Sequence, residues 1–213
     1  MVKVKKLIIA CDGESASGKS TASKLISKKY NLLLVNSGLI YRYCSKLIIK
    51  KKPKYIIPFL NKEFINISYK SIAKQKLHSE KISNHVAFLA KNKKVREIVN
   101  KLQIKIIRSN NRICVEGRDI ASKILSKNPK FDLAFYFKCN LEVAAKRRWL
   151  DLKKTVLLKD VKKSLKMRTS IDKKRKNSPL VKVKDATLIR SDRLNKKQVL
   201  DKMSRKIDKF LSN

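Results

Sequence analysis

Between Cys11 and Thr21 the chain reads "CDGESASGKST", so Gly13-Glu14-Ser15-Ala16-Ser17-Gly18-Lys19-Ser20 matches a phosphate loop at every fixed position, with Thr21 next in line. The chemistry of such a loop is anion binding. Its backbone N–H groups and the N-terminus of the following helix surround phosphate oxygens, a Lys reaches the β and γ phosphates, and a hydroxyl such as that of Ser20 can bind Mg²⁺. Phosphoryl transfer needs little covalent help beyond positioning and charge neutralisation. It does need a second carboxylate near the metal at the end of another core strand, and Glu116, after the apolar run Ile113 to Val115, fills that place, acting through water. Further along, Arg168, Asp172 and Arg175 are spaced i, i+4, i+7 and so share one helical face, where two guanidinium groups and a carboxylate could grip a phosphate and a sugar hydroxyl together.

The elements that must position these residues alternate short apolar runs with longer helical segments, the pattern of a parallel α/β sheet with crossover helices. Strands are predicted over Lys5 to Cys11, Leu32 to Val35, Arg112 to Glu116, Leu133 to Lys138 and Ala186 to Arg190. The phosphate loop therefore follows the first strand, as the motif requires. "NSGLIYR" (Asn36 to Arg42) follows the second and "EGRD" (Glu116 to Asp119) the third, at the carboxyl ends where ligands of such sheets bind. Lys19 to Lys29 sets Ala22, Leu25 and Ile26 on one helical face. Ser79 to Ile107 reads as a long, mostly helical region, Asn140 as the N-cap of a helix through "LEVAAKRRWLDL", and Leu158 to Lys176 as a very basic helix, continuous or broken, stopped before Pro179. "FINISY" looks like an extra strand. Residues from about 50 to 80 and from about 150 to 180 are longer than plain crossovers need and read as movable covers over a site.

A chain of 213 residues with 43% apolar content folds into a single domain with mobile subdomains. The apolar run near the N-terminus, Leu7 to Ala10, is too short for a signal peptide or a membrane span. Cys11, Cys44, Cys114 and Cys139 lack paired spacing, which argues against a zinc site or a disulfide framework and fits a reducing cytoplasm. The formal charge of +39 would draw nucleic acid nonspecifically. Its Lys residues are scattered rather than gathered into a stripe, so it reads mainly as a solvated basic surface on a monomer.

Taken in order, "DGESASGKST", "SGLIYR", "VRE" (Val95 to Glu97), "GRDI" (Gly117 to Ile120), "AAKRR" (Ala144 to Arg148), the Arg168/Asp172/Arg175 set, "PL" and Asp185-Ala186 resemble the bacterial cytidylate kinases, nucleoside monophosphate kinases with a P-loop fold. The resemblance spans residues 12 to about 190. It implies a three-layer P-loop kinase fold with a five-stranded parallel sheet, divided into a core (about 1–41, 110–150 and 180–213), an inserted monophosphate-binding subdomain (about 42–109) and a helical lid (about 150–180). It also implies Mg²⁺-dependent transfer of the ATP γ-phosphate to CMP or dCMP. Ser37, Arg42, Arg96, Arg118, Asp119, Arg168, Asp172 and Arg175 match the positions that hold the monophosphate. By chemistry the phosphate falls to Arg42, Arg118 and Arg168, the cytosine edge to Asp119 and Arg96, and the sugar hydroxyls to Asp172. Arg147 and Arg148, beside the lid, match residues that neutralise charge on the transferring group, with Lys19 as the third catalytic cation.

The chain departs from the family pattern at Asn36, where Asp is usual, at Ala87, where a base-contacting Ser is expected, at "GRDIAS", and at "IRSD" (189 to 192) in place of "DST". The segment between Arg42 and Arg96 also looks trimmed. Two rival readings are another small P-loop kinase, acting on a uridylate or a metabolite hydroxyl, and a basic RNA-binding protein that keeps a nucleotide-binding fold. The first would not need the Arg168/Asp172/Arg175 set. The second lacks an Arg-rich tail and aromatic stacking motifs.

Overall fold

A computed structural model describes residues 5–77 and 79–213, with the side chains of residues 80, 84 and 87 also outside the description. In chain order the elements are β1 (Leu7–Gly13), α1 (Lys19–Lys29), β2 (Leu33–Asn36), α2 (Ser37–Lys51), α3 (Ile56–Phe64), α4 (Tyr69–Ala73), α5 (Glu80–Leu89), α6 (Lys93–Arg108), β3 (Arg112–Glu116), β4 (Leu133–Lys138), α7 (Leu141–Asp151), α8 (Leu158–Lys174), β5 (Thr187–Arg190) and α9 (Lys196–Ser212). A π-helical turn, Ile120–Ile124, follows β3, and a 3-10 turn, Ser191–Arg193, follows β5. The strands form one five-stranded sheet in the order β2-β3-β1-β4-β5. The chain divides into two compact units, Met1–Leu34 with Asn111–Asn213, and Val35–Asn110.

In the first unit β1 runs parallel to β3, from Leu7 opposite Arg112 to Cys11 opposite Glu116, and parallel to β4, from Ile9 opposite Leu133 to Gly13 opposite Phe137. β4 continues parallel to β5. Buried on both faces, β1 reads from Leu7 to Cys11 as an unbroken apolar run rather than an alternation, as suits a central parallel strand. Ala22 and Ile26 of α1 and Val199, Met203 and Ile207 of α9 share one core with Leu7, Ile9, Phe135, Phe137 and Ile189. α9 starts at a capping box, in which Asn195 accepts from the Gln198 N–H and the Gln198 side chain accepts from the Asn195 N–H. The parallel register brings Gly13, Glu116, Lys138 and Arg190 to the same edge of the sheet.

The second unit holds α2 to α6, whose buried residues include Ile40, Leu60, Phe64, Ile72, Val95 and Val99. Here one expectation fails. "FINISY" is no strand: Phe64 ends α3, and Ser68 caps α4 by accepting from the Ser71 N–H at 3.1 Å. Leu60 and Phe64, spaced i, i+4, are the buried pair of α3, while Ile65 is exposed, so the helical period overrides the local alternation. The region from Ser79 to Ile107 is mostly helical, as expected, and is made of two helices. Ser79 caps the first by accepting from Ile82 N–H, and Asn92 caps the second by accepting from Val95 N–H. In the first unit, α8 is continuous but stops at Lys174, two residues short of the expected Lys176. Ser178, before Pro179, lies outside the helical region, with φ 54°. Among the described residues no helix is long and apolar enough to cross a membrane.

Candidate active site

The phosphate loop forms because β1 delivers it between two neighbouring strands with no room for a side chain at Gly13. A Cβ built there would lie 2.3 Å from the Phe137 carbonyl oxygen, and φ is 153°. The Glu14 N–H then donates to that same Phe137 carbonyl at 3.0 Å, the Ser17 hydroxyl donates to the Glu14 carbonyl at 2.9 Å, and Gly18 turns into α1 with a left-handed φ of 76°. Gly18 has no side chain with which to cap α1, so the first N–H groups of the helix stay directed at the loop, where an anion satisfies them. Ser15 and Ser17 are buried, Ala16 is half-buried, and Ser20 and Thr21 are exposed at the start of the helix.

Lys19 and Glu116 are both buried, their Nζ and Oε1 3.3 Å apart, and the Ser20 hydroxyl donates to the same Glu116 oxygen at 2.6 Å. The strand-end carboxylate expected from the sequence is thus joined to both functional side chains of the loop. Burial, and next the Arg118 charge, push the Lys19 ammonium below its ordinary range, with Glu116 opposing them.

A second cluster follows "EGRD". Arg118 Nε donates to Asp172 Oδ2 at 2.9 Å, and Arg175 donates to Asp119 Oδ1 at 3.2 Å while lying 3.5 Å from Asp172 Oδ1. Four of the residues expected to face the acceptor therefore meet in one network. The single helical face foreseen for Arg168, Asp172 and Arg175 needs correction: Arg175 is the extended residue that ends α8, with ψ 136°, and folds back onto Asp172 and Asp119. Arg168 is half-buried on α8. On α7, Arg147 donates to the Ser191 carbonyl at 2.9 Å, and Arg148 is exposed.

The remaining expected residues lie in the second unit. Ser37 is buried at the start of α2. Arg42 donates to the Leu77 carbonyl at 3.4 Å and to the Ser83 hydroxyl at 2.8 Å. Arg96 is buried on α6, donates to the Ala90 carbonyl, and has its guanidinium carbon 5.8 Å from the centre of the Tyr41 ring. Ala87 sits within α5 with its side chain outside the described residues.

Three residues about the loop were not singled out by their chemistry in the sequence. Asp12, just ahead of Gly13, is buried and accepts from the Ile120 and Ala121 N–H groups at 2.9 and 2.8 Å, binding the base of the phosphate loop to the turn after "GRD". Burial raises its carboxyl to about 6, against the pull of those two hydrogen bonds. Ser191 is buried, its hydroxyl donating to the Ser17 carbonyl at 2.8 Å while its own carbonyl receives Arg147. Lys173 pairs with Glu14 at 2.7 Å. An acid or hydroxyl at the carboxyl end of a parallel strand was the available signal for Asp12 and Ser191; for Lys173 there was none.

A buried Lys and carboxylate at the mouth of a strand-loop-helix anion site, on a parallel sheet with a basic helix anchored over it, define a P-loop phosphotransferase. The solved structure of the shikimate kinase from Bacteroides thetaiotaomicron has the same fold, with a TM-score of 0.50 at 10% identity over 98% of this chain and 99% of that one. The profile of the cytidylate kinase family matches residues 9–209, and the chain belongs to that family. A cytidylate kinase from Mycoplasma capricolum subsp. capricolum is 34% identical over 224 residues, covering 98% of this chain and 99% of that protein. A bifunctional pantoate ligase/cytidylate kinase from Prochlorococcus marinus (strain AS9601) is 35% identical over 217 residues, and the chain spans 42% of its length. The chain is accordingly an ATP-dependent nucleoside monophosphate kinase.

Proposed function

We propose that this chain transfers the γ-phosphate of ATP to CMP or dCMP, giving ADP and CDP or dCDP, as a cytoplasmic monomer serving pyrimidine nucleotide metabolism. The observation that carries the reading is the buried Lys19–Glu116 pair, joined by the Ser20 hydroxyl, at the phosphate loop of a chain in this family. Residues 13 to 21 hold the ATP phosphates through backbone N–H groups and Lys19. An oxygen of the monophosphate attacks the γ-phosphorus, the bond to the β–γ bridging oxygen breaks, and ADP leaves. Charge on the transferring group falls to Lys19, Arg147 and Arg148. Arg42, Arg118 and Arg168 take the acceptor's phosphate, Asp119 and Arg96 the cytosine edge, and Asp172, with Ser37 and Arg175 beside the acceptor, the sugar hydroxyls. Residues from about 150 to 180 act as the lid that excludes water, and about 42 to 109 as the inserted acceptor subdomain.

The oxygen donors of Ser20 and Glu116, 2.6 Å apart, fit Mg²⁺, Ser20 directly and Glu116 through water. Among the described residues no group of three or more His, Cys, Asp and Glu could hold a metal. Two protein oxygens are enough for Mg²⁺, which keeps waters and binds substrate phosphates; when bound it supplies charge neutralisation between the β and γ phosphates. The four cysteines are free and buried, which supports a reducing compartment. Contact with nucleic acid is limited to nonspecific attraction to the basic surface.

A phosphate-acceptor panel tests the proposal. With ATP and Mg²⁺, ADP release coupled to an indicator should appear with CMP and dCMP and be much slower with UMP and AMP. Turnover only with a non-nucleotide hydroxyl would sink it.

A further inference from the structure

Glu14 is an unexpected residue for a loop that holds polyphosphate, because its carboxylate adds negative charge where negative charge must bind. Its main chain is committed to the loop: the N–H donates to Phe137 and the carbonyl accepts from Ser17. The carboxylate itself is 12% exposed and meets Lys173 Nζ at 2.7 Å. Lys173 belongs to the last turn of α8, between Asp172 and the helix-ending Arg175. Three ion pairs thus leave adjoining positions of this helix end for the sheet edge: Asp172 to Arg118, Lys173 to Glu14, and Arg175 to Asp119. The outer two use side chains assigned above to the acceptor, so their partners change when the monophosphate's phosphate and hydroxyls arrive. The middle pair uses none of them.

We propose that Lys173 is a positioning residue for the donor side, cancelling the Glu14 charge in the phosphate loop and fixing the end of α8 against that loop whether or not the acceptor is bound. The inference rests on the reading that the loop holds ATP. A neutralised Glu14 leaves the backbone N–H groups and Lys19 to act on the phosphates unopposed. An unpaired Glu14, mostly shielded from solvent, repels them with little screening. Freeing the end of α8 also admits water to the γ-phosphate.

The test combines equilibrium titration with ATP and kinetics on wild type, Lys173→Ala, Glu14→Gln and the double variant. Lys173→Ala should weaken ATP binding about fivefold, the upper range for a partly exposed pair, and leave the KM for CMP within about twofold. Glu14→Gln/Lys173→Ala should restore ATP binding to within about twofold of wild type, because no carboxylate is left to neutralise, a coupling that only interacting residues show. Acceptor-free ATP hydrolysis should rise in all three variants. Unchanged ATP affinity in Lys173→Ala, or a double variant as weak as the single one, would overturn the proposal. Failure of wild type to phosphorylate CMP would instead overturn the functional reading, and the ATP titrations would still report on the pair.

Discussion

The two units of the molecule treat their candidate site residues differently. In the unit carrying the sheet, charged side chains are tied to one another across long sequence separations: Lys19 to Glu116, Arg118 to Asp172, Arg175 to Asp119, Lys173 to Glu14. In the unit from Val35 to Asn110, Arg42 and Arg96 rest on nearby carbonyls, hydroxyls and a Tyr ring of that same unit. The contrast teaches that the site side chains of the sheet unit are preorganised by ion pairs, which lose much when one partner is removed, while hydrogen bonds and a ring contact help to hold Arg42 and Arg96 in the helical unit.

The contrast can be strained first at Asp12, the buried acid beneath the loop. Its carboxyl is raised from 3.8 to about 6, so its contribution to stability is fully present below about pH 4 and is lost as pH rises through 6. Wild-type unfolding free energy minus that of Asp12→Asn should therefore fall by up to about 3 kcal/mol between pH 4 and pH 7, the equivalent of a shift of roughly two units. Urea titrations at fixed ionic strength check this, and a flat difference would show that the fold does not raise the Asp12 carboxyl. Asp119 and Lys19 are the charges that act on it, with opposite signs.

A smaller effect is expected at Arg118, whose replacement by Ala strips one of two cationic partners from Asp172. The KM for CMP should rise about 30-fold, near 2 kcal/mol for a charge-assisted pair, with the KM for ATP much less affected. Arg42→Lys should raise the CMP KM only about fivefold, since a charge remains but the planar fork is gone. If the Arg42 change cost more than the Arg118 change, the ion-paired unit would not be the one that holds the acceptor's phosphate more tightly.

The sheet was legible because its strands are apolar runs bounded by polar residues: Arg112–Glu116 and Leu133–Lys138 have the expected ends, and α1 spans the expected Lys19–Lys29. The phosphate loop was legible because contiguous residues dictate a contiguous geometry. Glu116 was legible because strand ends carry such acids. "FINISY" misled because a helix end followed by a capping Ser produces the same short alternation as a strand, and only the burial of Leu60 with Phe64 separates the two. The Glu14–Lys173 and Ser17–Ser191 contacts join residues 159 and 174 positions apart, so no local pattern announces them. Ser79 opens the stretch from 79 to 107 as a cap residue, and Asn92 divides it as another, yet the helical character of the stretch runs on past the break.

The claim at the centre of the account is that Lys19, buried against Glu116, neutralises the transferring phosphate in a CMP kinase. Initial rates of CDP formation from ATP and CMP, measured side by side for wild type and Lys19→Ala with circular dichroism to confirm that both are folded, address it directly. The account predicts CDP formation by wild type and a fall in kcat on the order of 10²–10³ in the variant. Equal rates from the two proteins, or no CDP from wild type at any CMP concentration, would contradict it.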